Sequence, residues 1–309
     1  MIVRPRPNAI ALLFVIRGSV VPRIFPHLLA VGLFAAAVSA LHELRWLSVP
    51  EFSLAPFTLL GVALSIFLGF RNNASYERWW EARKQWGAMV YEIRSLARSS
   101  ETLLDLQAEH SAAGQLRHDL LHWCAAHCHA LRGSLRQQDC RNELKSWLND
   151  EDIERLFSHR NPAEYCLRRA GRIIGELYRQ QHIDSVGLRI LDEHLTRLAA
   201  VQAASERIAT TPLPFAYTLL THRTAYLYCY LLPFGLVPSL GWYASLFTVI
   251  VAYTFFGLDV LSEEMEEPFG CEANDLPLDA LCRINEISIA ESLGETPPPL
   301  LQPVKHVLQ

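Results

Sequence analysis

Gly61-Val62-Ala63-Leu64-Ser65-Ile66-Phe67-Leu68-Gly69-Phe70 is the stretch on which the fold turns. It closes a run of 19 residues, 52–70, that carries no charge. That length is close to the roughly 20 apolar residues a helix needs to cross a bilayer core. Within it Gly61, Ser65 and Gly69 recur every four residues, a small-residue face that lets helices approach closely in lipid. Val62, Ile66 and Phe70 form a bulky apolar row beside that face, at the same spacing. If several copies pack around an axis through the small face, the row becomes a stack of apolar rings that can gate ions by dewetting. A lipid-facing helix with one tight contact has the same spacing, so spacing alone does not choose between pore and packing.

Outward from this segment, residues 224–258 form 35 uncharged residues, too many for one straight span. Pro233, Gly235, Pro238 and Gly241 interrupt them, and such residues end helices and make turns. The stretch reads as two helices, about 214–236 and 240–261, joined by a very short loop. The first carries His222 and Arg223, a costly pair in lipid unless they face protein or water. Residues 28–41 supply only 14 apolar positions, extended backwards through Val20 and Val21 if Arg23 and His27 snorkel to the interface. With its neighbours, this run reads as a first span at about 20–43, and the opening stretch as a second at about 52–72. The expected architecture is an all-α integral membrane protein with four transmembrane helices. The apolar run 9–16 after Arg4 and Arg6 resembles a signal-peptide core, but Arg17, Pro22, Arg23 and Pro26 interrupt it, so cleavage is not expected.

Arg4, Arg6 and Arg17 precede the first span; Arg71, Arg78, Arg83 and Lys84 follow the second. The positive-inside rule therefore puts both termini and the central segment in the cytoplasm. That segment, about 75–211, is helical in pattern: Leu103, Leu104 and Leu106; Leu116, Leu120 and Leu121; Ile173, Ile174 and Leu177; Leu188, Leu191 and Leu195. Its only proline, Pro162, follows Asn161 and marks a break between helices. No alternating strands of an α/β enzyme are visible, so a helical bundle continuing from the membrane helices is expected, with a C-terminal tail at about 285–309. The net charge of −4 argues against nucleic acid as a partner. The seven cysteines, an odd number without repeated spacing, are no disulfide framework and suit a reducing compartment.

After the apolar row the chain reads Arg71-Asn72-Asn73-Ala74-Ser75-Tyr76-Glu77-Arg78-Trp79-Trp80-Glu81-Ala82-Arg83. Thr211-Pro212-Leu213-Pro214-Phe215-Ala216-Tyr217-Thr218 opens the third span. Glu267-Pro268-Phe269-Gly270 and Asn274-Asp275-Leu276-Pro277-Leu278 follow the fourth. In these three segments, in this order, the chain resembles the bestrophin family, and its bacterial members most closely. The resemblance spans most of the chain. It implies a homopentamer around one axial pore in the bacterial inner membrane, multi-pass, conducting monovalent ions. The family's neck rings fall on Val62, Ile66 and Phe70. A second, cytoplasmic constriction falls on Val186, counting back from Tyr217, or on Ile183, where the family often has isoleucine. Bacterial members are described as cation-conducting and animal members as calcium-activated chloride channels. Cation conduction is therefore the first expectation and a calcium-dependent anion channel the alternative.

The segment after the fourth span is acidic: Asp259, Glu263, Glu264, Glu266, Glu267, Glu272 and Asp275. Negative charge at a helix C-terminus is unfavourable and calls for cationic partners or an ion. In animal bestrophins this region is a calcium clasp, and Glu264, Glu267, Glu272 and Asp275 match its positions. The run of aspartates is missing, however, and Arg71, Arg78 or Arg83 could pair with these acids instead, so no cofactor is required and calcium is not favoured. His118, His122, Cys124, His127, Cys128 and His129 invite a metal hypothesis. His118 shares a face with His122, and Cys124 with Cys128, but no second pair from a separate segment completes a site. Buried cysteines and surface histidines account for these residues, and no metal is expected. No phosphate loop, nucleophile elbow or His-Glu-x-x-His appears, so a channel is preferred to a membrane-bound metal-dependent enzyme or a transporter.

Overall fold

The computed structural model describes residues 1–4, 8–46, 50, 53–105 and 112–309. The expectations that rest on Arg6, Phe52 and Leu106 lie outside these. Among the described residues the regular elements are all helices: α1 (Ala9–Leu13), α2 (Val21–Glu43), α3 (Ala55–Leu103), α4 (Ala112–Arg136), α5 (Arg141–Leu144), α6 (Asp150–Phe157), α7 (Pro162–Arg179), α8 (Ser185–Thr210), α9 (Phe215–Leu240), α10 (Tyr243–Glu266) and α11 (Leu278–Leu293). The expected all-α class is what forms. The chain makes two compact units, one of residues 5–79 and 212–268, the other of residues 1–4, 80–211 and 269–309. The 49-residue α3 contributes to both, so the second apolar segment runs on into the polar half without a break.

In the first unit α2, α9 and α10 pack on one another. The stripe Ile24, Val31, Ala35 and Val38 of α2 is buried, yet Phe25, Leu29 and Leu33 on its other side are exposed and equally apolar. A helix apolar all round suits lipid. Leu64 and Leu68 of α3 join Ala225, Cys229, Leu232, Ala252 and Phe256 in the same core. Lipid tails are as apolar as these side chains, so the core is held by close packing and not by exclusion of water. Gly61 shows how close: a Cβ there would lie 2.7 Å from the Tyr228 hydroxyl.

Among the described residues three helices, α2, α3 and α10, are long and apolar enough to cross a membrane. The four-span expectation is met only to that extent. α9 has 26 residues but carries His222, Arg223, Tyr226, Tyr228 and Tyr230, which dilute its hydropathy. Its rings instead find partners in the unit, Tyr226 stacking on Phe256 with centroids 4.3 Å apart and Tyr228 edge-on to Phe255 at 5.5 Å. The expected helix end near residue 236 is also corrected. α9 runs through Pro233 and Pro238 to Leu240. The turn comes at Gly241, whose φ of +52° is left-handed and suits glycine.

In the second unit α4 is the central helix, packed by α7, α8 and α11 and buried along most of its length. Trp86, Met89, Ile93 and Leu96 line the buried face of the polar half of α3. The predicted break at Asn161-Pro162 is the start of α7, where the Asn161 side chain accepts from the Glu164 amide and Pro162 occupies the first turn. α11 continues to Leu293 and ends on left-handed Gly294, so the extended tail starts there and not at 285. Asn285, Glu286, Ile289 and Ala290 are buried, which makes this part of the presumed tail core.

Candidate pore-lining site

Every third or fourth residue of α3 faces the core of its unit: Leu64 and Leu68 are 2% and 0% exposed, and Arg71 and Ser75 follow them in register. The opposite face carries the predicted neck. Val62, Ile66 and Phe70 are 55%, 52% and 65% exposed, a row of large apolar side chains without cover from their own chain. Of the small residues beside them, Gly61 is spent on Tyr228, while Ser65 donates to the Gly61 carbonyl at 2.8 Å and Gly69 has open space around it. Two turns below Phe70, about 20° off its line, stands Glu77, exposed and accepting from the Asn73 amide at 3.0 Å. Sequence reasoning passed over Glu77, although its heptad spacing from Phe70 marks it.

The two candidates for the second constriction have different surroundings. Asp184 caps α8 by accepting from the Gly187 amide at 2.7 Å. Ile183, just before the cap, folds against Gly187 and is 7% exposed, whereas Val186 in the first turn is 60% exposed.

Of the acidic residues, Asp259 is buried beside Arg71, which donates to its Oδ1, and meets the half-exposed His222, whose Nδ1 lies 2.6 Å from Oδ2. This contact gives the His222 ring a carboxyl partner within its own unit. Glu264 receives Arg23 at 3.2 Å, and Glu263 receives the same guanidinium at 3.5 Å. The Arg78 Nε donates to the Glu266 carbonyl at 2.6 Å, and Glu266 Oε1 accepts from the Leu213 amide at 3.0 Å. Glu267 lies near Arg78, where its charge acts on the guanidinium together with that of Glu266. Arg23, Arg71, His222, Asp259, Glu263, Glu266 and Glu267 border a cavity of about 560 Å³ lined also by His27, Thr218 and Tyr226. In the other unit Asp275 is buried and accepts from the Glu272 amide at 2.7 Å. The carboxyls of Glu264, Glu266 and Asp275 thus each hold a protein donor.

The histidines expected at the surface are only partly there. His127 and His129 are buried in α4 because that helix is enclosed on several sides. His127 donates from Nδ1 to the Ala163 carbonyl at 3.1 Å, and burial pushes its pKa down to about 4. His129 lies 2.7 Å from Glu286, whose carboxyl is held below its usual range by that bond and by Arg283 against the opposing effect of burial. Cys124 and Cys128 are buried as expected, and burial raises both thiols, Cys124 to about 12.

The family model for bacterial and fungal bestrophin proteins matches residues 1–291. A protein of Mesorhizobium japonicum named as a voltage-dependent anion channel-forming protein is 52% identical over 301 residues, covering 97% of this chain and 95% of that one. A protein of Escherichia coli K12 with the same description is 41% identical over 310 residues, covering 99% of each. A crystal structure of a bacterial bestrophin homologue from Klebsiella pneumoniae matches with a TM-score of 0.82 at 37% identity, covering 88% of this chain and 100% of that one. With its long apolar helices, this is a membrane protein, and it belongs to the bacterial and fungal bestrophin family.

Proposed function

We propose that the chain is an ion channel in which identical copies, five by family resemblance, surround one axial pore. The observation that carries this is the uncovered apolar row of Val62, Ile66 and Phe70 on a helix whose other face is buried. Rings of such side chains narrow and dewet a passage. Relatives named as channel-forming proteins support the reading, and it has no need of catalytic groups. Val186 is the better lining residue for the second constriction, since Ile183 is covered by its own chain.

Four crossings are proposed, α9 being the fourth. The chain leaves the second unit after residue 211 and rejoins it at 269. A single crossing between those points would divide one compact unit across two faces of a membrane. The chain ends agree: the Val3 amide donates to the His306 carbonyl at 2.9 Å, and the Leu308 amide to that of Met1 at 2.9 Å. Arginines around the first two spans favour the cytoplasm for that side, in a bacterial inner membrane.

Two selectivities compete. The relatives' names speak of anions, and the bacterial resemblance implies cations. Glu77 favours cations. Repeated around the axis, it would set a ring of carboxylates just below the neck, the arrangement that selects cations in other pores. The next charges on this face, Glu81 and Lys84, pair with each other at 2.7 Å. Calcium is not required, since Arg71, His222 and Arg23 already answer acids of this region.

The test is current from purified protein in planar bilayers under asymmetric potassium chloride. Unitary currents that reverse towards the potassium potential, with larger conductance in Ile66→Ala, are expected. Electrical silence, or an Ile66→Ala variant with unchanged current and gating, would overturn the neck assignment; reversal at the chloride potential would overturn the cation reading alone.

A further inference from the structure

We propose that His118, His122 and Glu295 bind one divalent transition-metal ion, with zinc as the best match, which fastens the segment after α11 to α4. His118 and His122 stand one turn apart on α4, their ring centroids 3.9 Å from each other. Glu295 arrives from the other end of the sequence. The left-handed turn at Gly294 sets it beside them, and its amide is pinned by donation to the Ala290 carbonyl at 2.9 Å. The His118 Nε2 lies 3.3 Å and the His122 Nε2 3.9 Å from the same Glu295 oxygen. All three ligand atoms fall within 4.8 Å of one another. Two ligands of a tetrahedral zinc, each about 2.1 Å from the metal, stand about 3.4 Å apart.

The outer contacts orient the rings for metal. The His122 Nδ1 lies 3.0 Å from the Trp147 carbonyl, which can only accept, so Nδ1 carries the proton and Nε2 keeps its lone pair. That Nε2 is buried without a hydrogen-bond partner. The His118 Nδ1 lies 3.4 Å from an Asp119 oxygen, the same arrangement in a looser form. Imidazoles that give their other N–H to a carbonyl or a carboxylate are the usual support of a zinc ligand. Two neutral imidazoles and one carboxylate suit zinc in preference to calcium or magnesium, which take oxygen. Three protein ligands leave a fourth position for water. Sequence reasoning found the histidine pair and missed Glu295, because 173 residues separate it from His122.

The protein, stripped with chelator, would be titrated with zinc chloride by calorimetry, with metal counted per chain and amide hydrogen exchange followed at Gly294, Glu295, Thr296 and Leu300. One zinc per chain, slower exchange in that segment on zinc addition, and affinity weakened roughly tenfold or more in His118→Asn, His122→Asn and Glu295→Gln are expected. Glu295 is 42% exposed at its side chain, so Glu295→Gln tests the site without disturbing the core. No stoichiometric zinc, or zinc held equally well by Glu295→Gln and His118→Asn, would reduce the cluster to an ion pair and overturn the proposal. These readouts are independent of channel current.

Discussion

Replacing Asp259 by asparagine separates a buried ion pair from its energetic alternatives. Arg71 is 1% and Asp259 6% exposed, and they pair between α3 and α10. Asparagine keeps the shape and one acceptor but removes the charge that answers the guanidinium and His222. Breaking one side of such a pair costs about 3–5 kcal/mol, because the remaining charge stays buried. The retained acceptor sets the lower end, about 3 kcal/mol. At roughly 2–4 °C per kcal/mol for a chain of this size, the apparent melting midpoint should fall by about 6–12 °C. Removing both charges, in Arg71→Met/Asp259→Leu, should recover most of that loss, since an apolar pair of similar volume is often neutral. The assay is the temperature at which detergent-solubilised protein leaves its monodisperse chromatographic peak. A midpoint for Asp259→Asn indistinguishable from the parent, or a double variant less stable than the single one, would refute the reasoning.

Glu77→Gln should bring the reversal potential in asymmetric salt closer to zero while leaving melting unchanged; a potential that stays put would remove Glu77 from the ion path. Val186→Ala should alter conductance or rectification with a stability change within about 0.5 kcal/mol, as for exposed positions. Ile183→Ala should instead cost about 2–4 kcal/mol through the cavity it leaves, and currents sensitive to Ile183 but not to Val186 would reverse the assignment. His127, with a pKa near 4 when folded and about 6.5 when unfolded, stays neutral in the fold while the unfolded chain takes up a proton. Its contribution to stability is thus lost as pH falls from about 6.5 towards 4, amounting to about 2 kcal/mol between pH 7 and pH 5. Melting curves of His127→Gln should flatten over that range; an unchanged pH slope would show that the imidazole titrates freely.

Long uncharged runs and the small-residue spacing at Gly61, Ser65 and Gly69 were enough to place this chain in a membrane as an all-helical protein. The reason is that the bilayer imposes one length and one composition on anything that crosses it. The row Val62, Ile66, Phe70 was legible for a similar reason: a regular helix carries spacing directly into a face. Local pattern was weaker where partners matter. α9 looked broken at its prolines and runs on, and its tyrosines and His222 make sense only beside Phe256, Phe255 and Asp259. Ile183 and Val186, three residues apart, could not be told apart until the cap at Asp184 turned one inward and left the other uncovered. Burial of His127 followed from helices packing around α4, and the meeting of Glu295 with His118 from a turn far along the chain. Periodicity reports which way a side chain leaves its own helix; what it meets there is decided by segments distant in sequence, and only the packed chain brings those together.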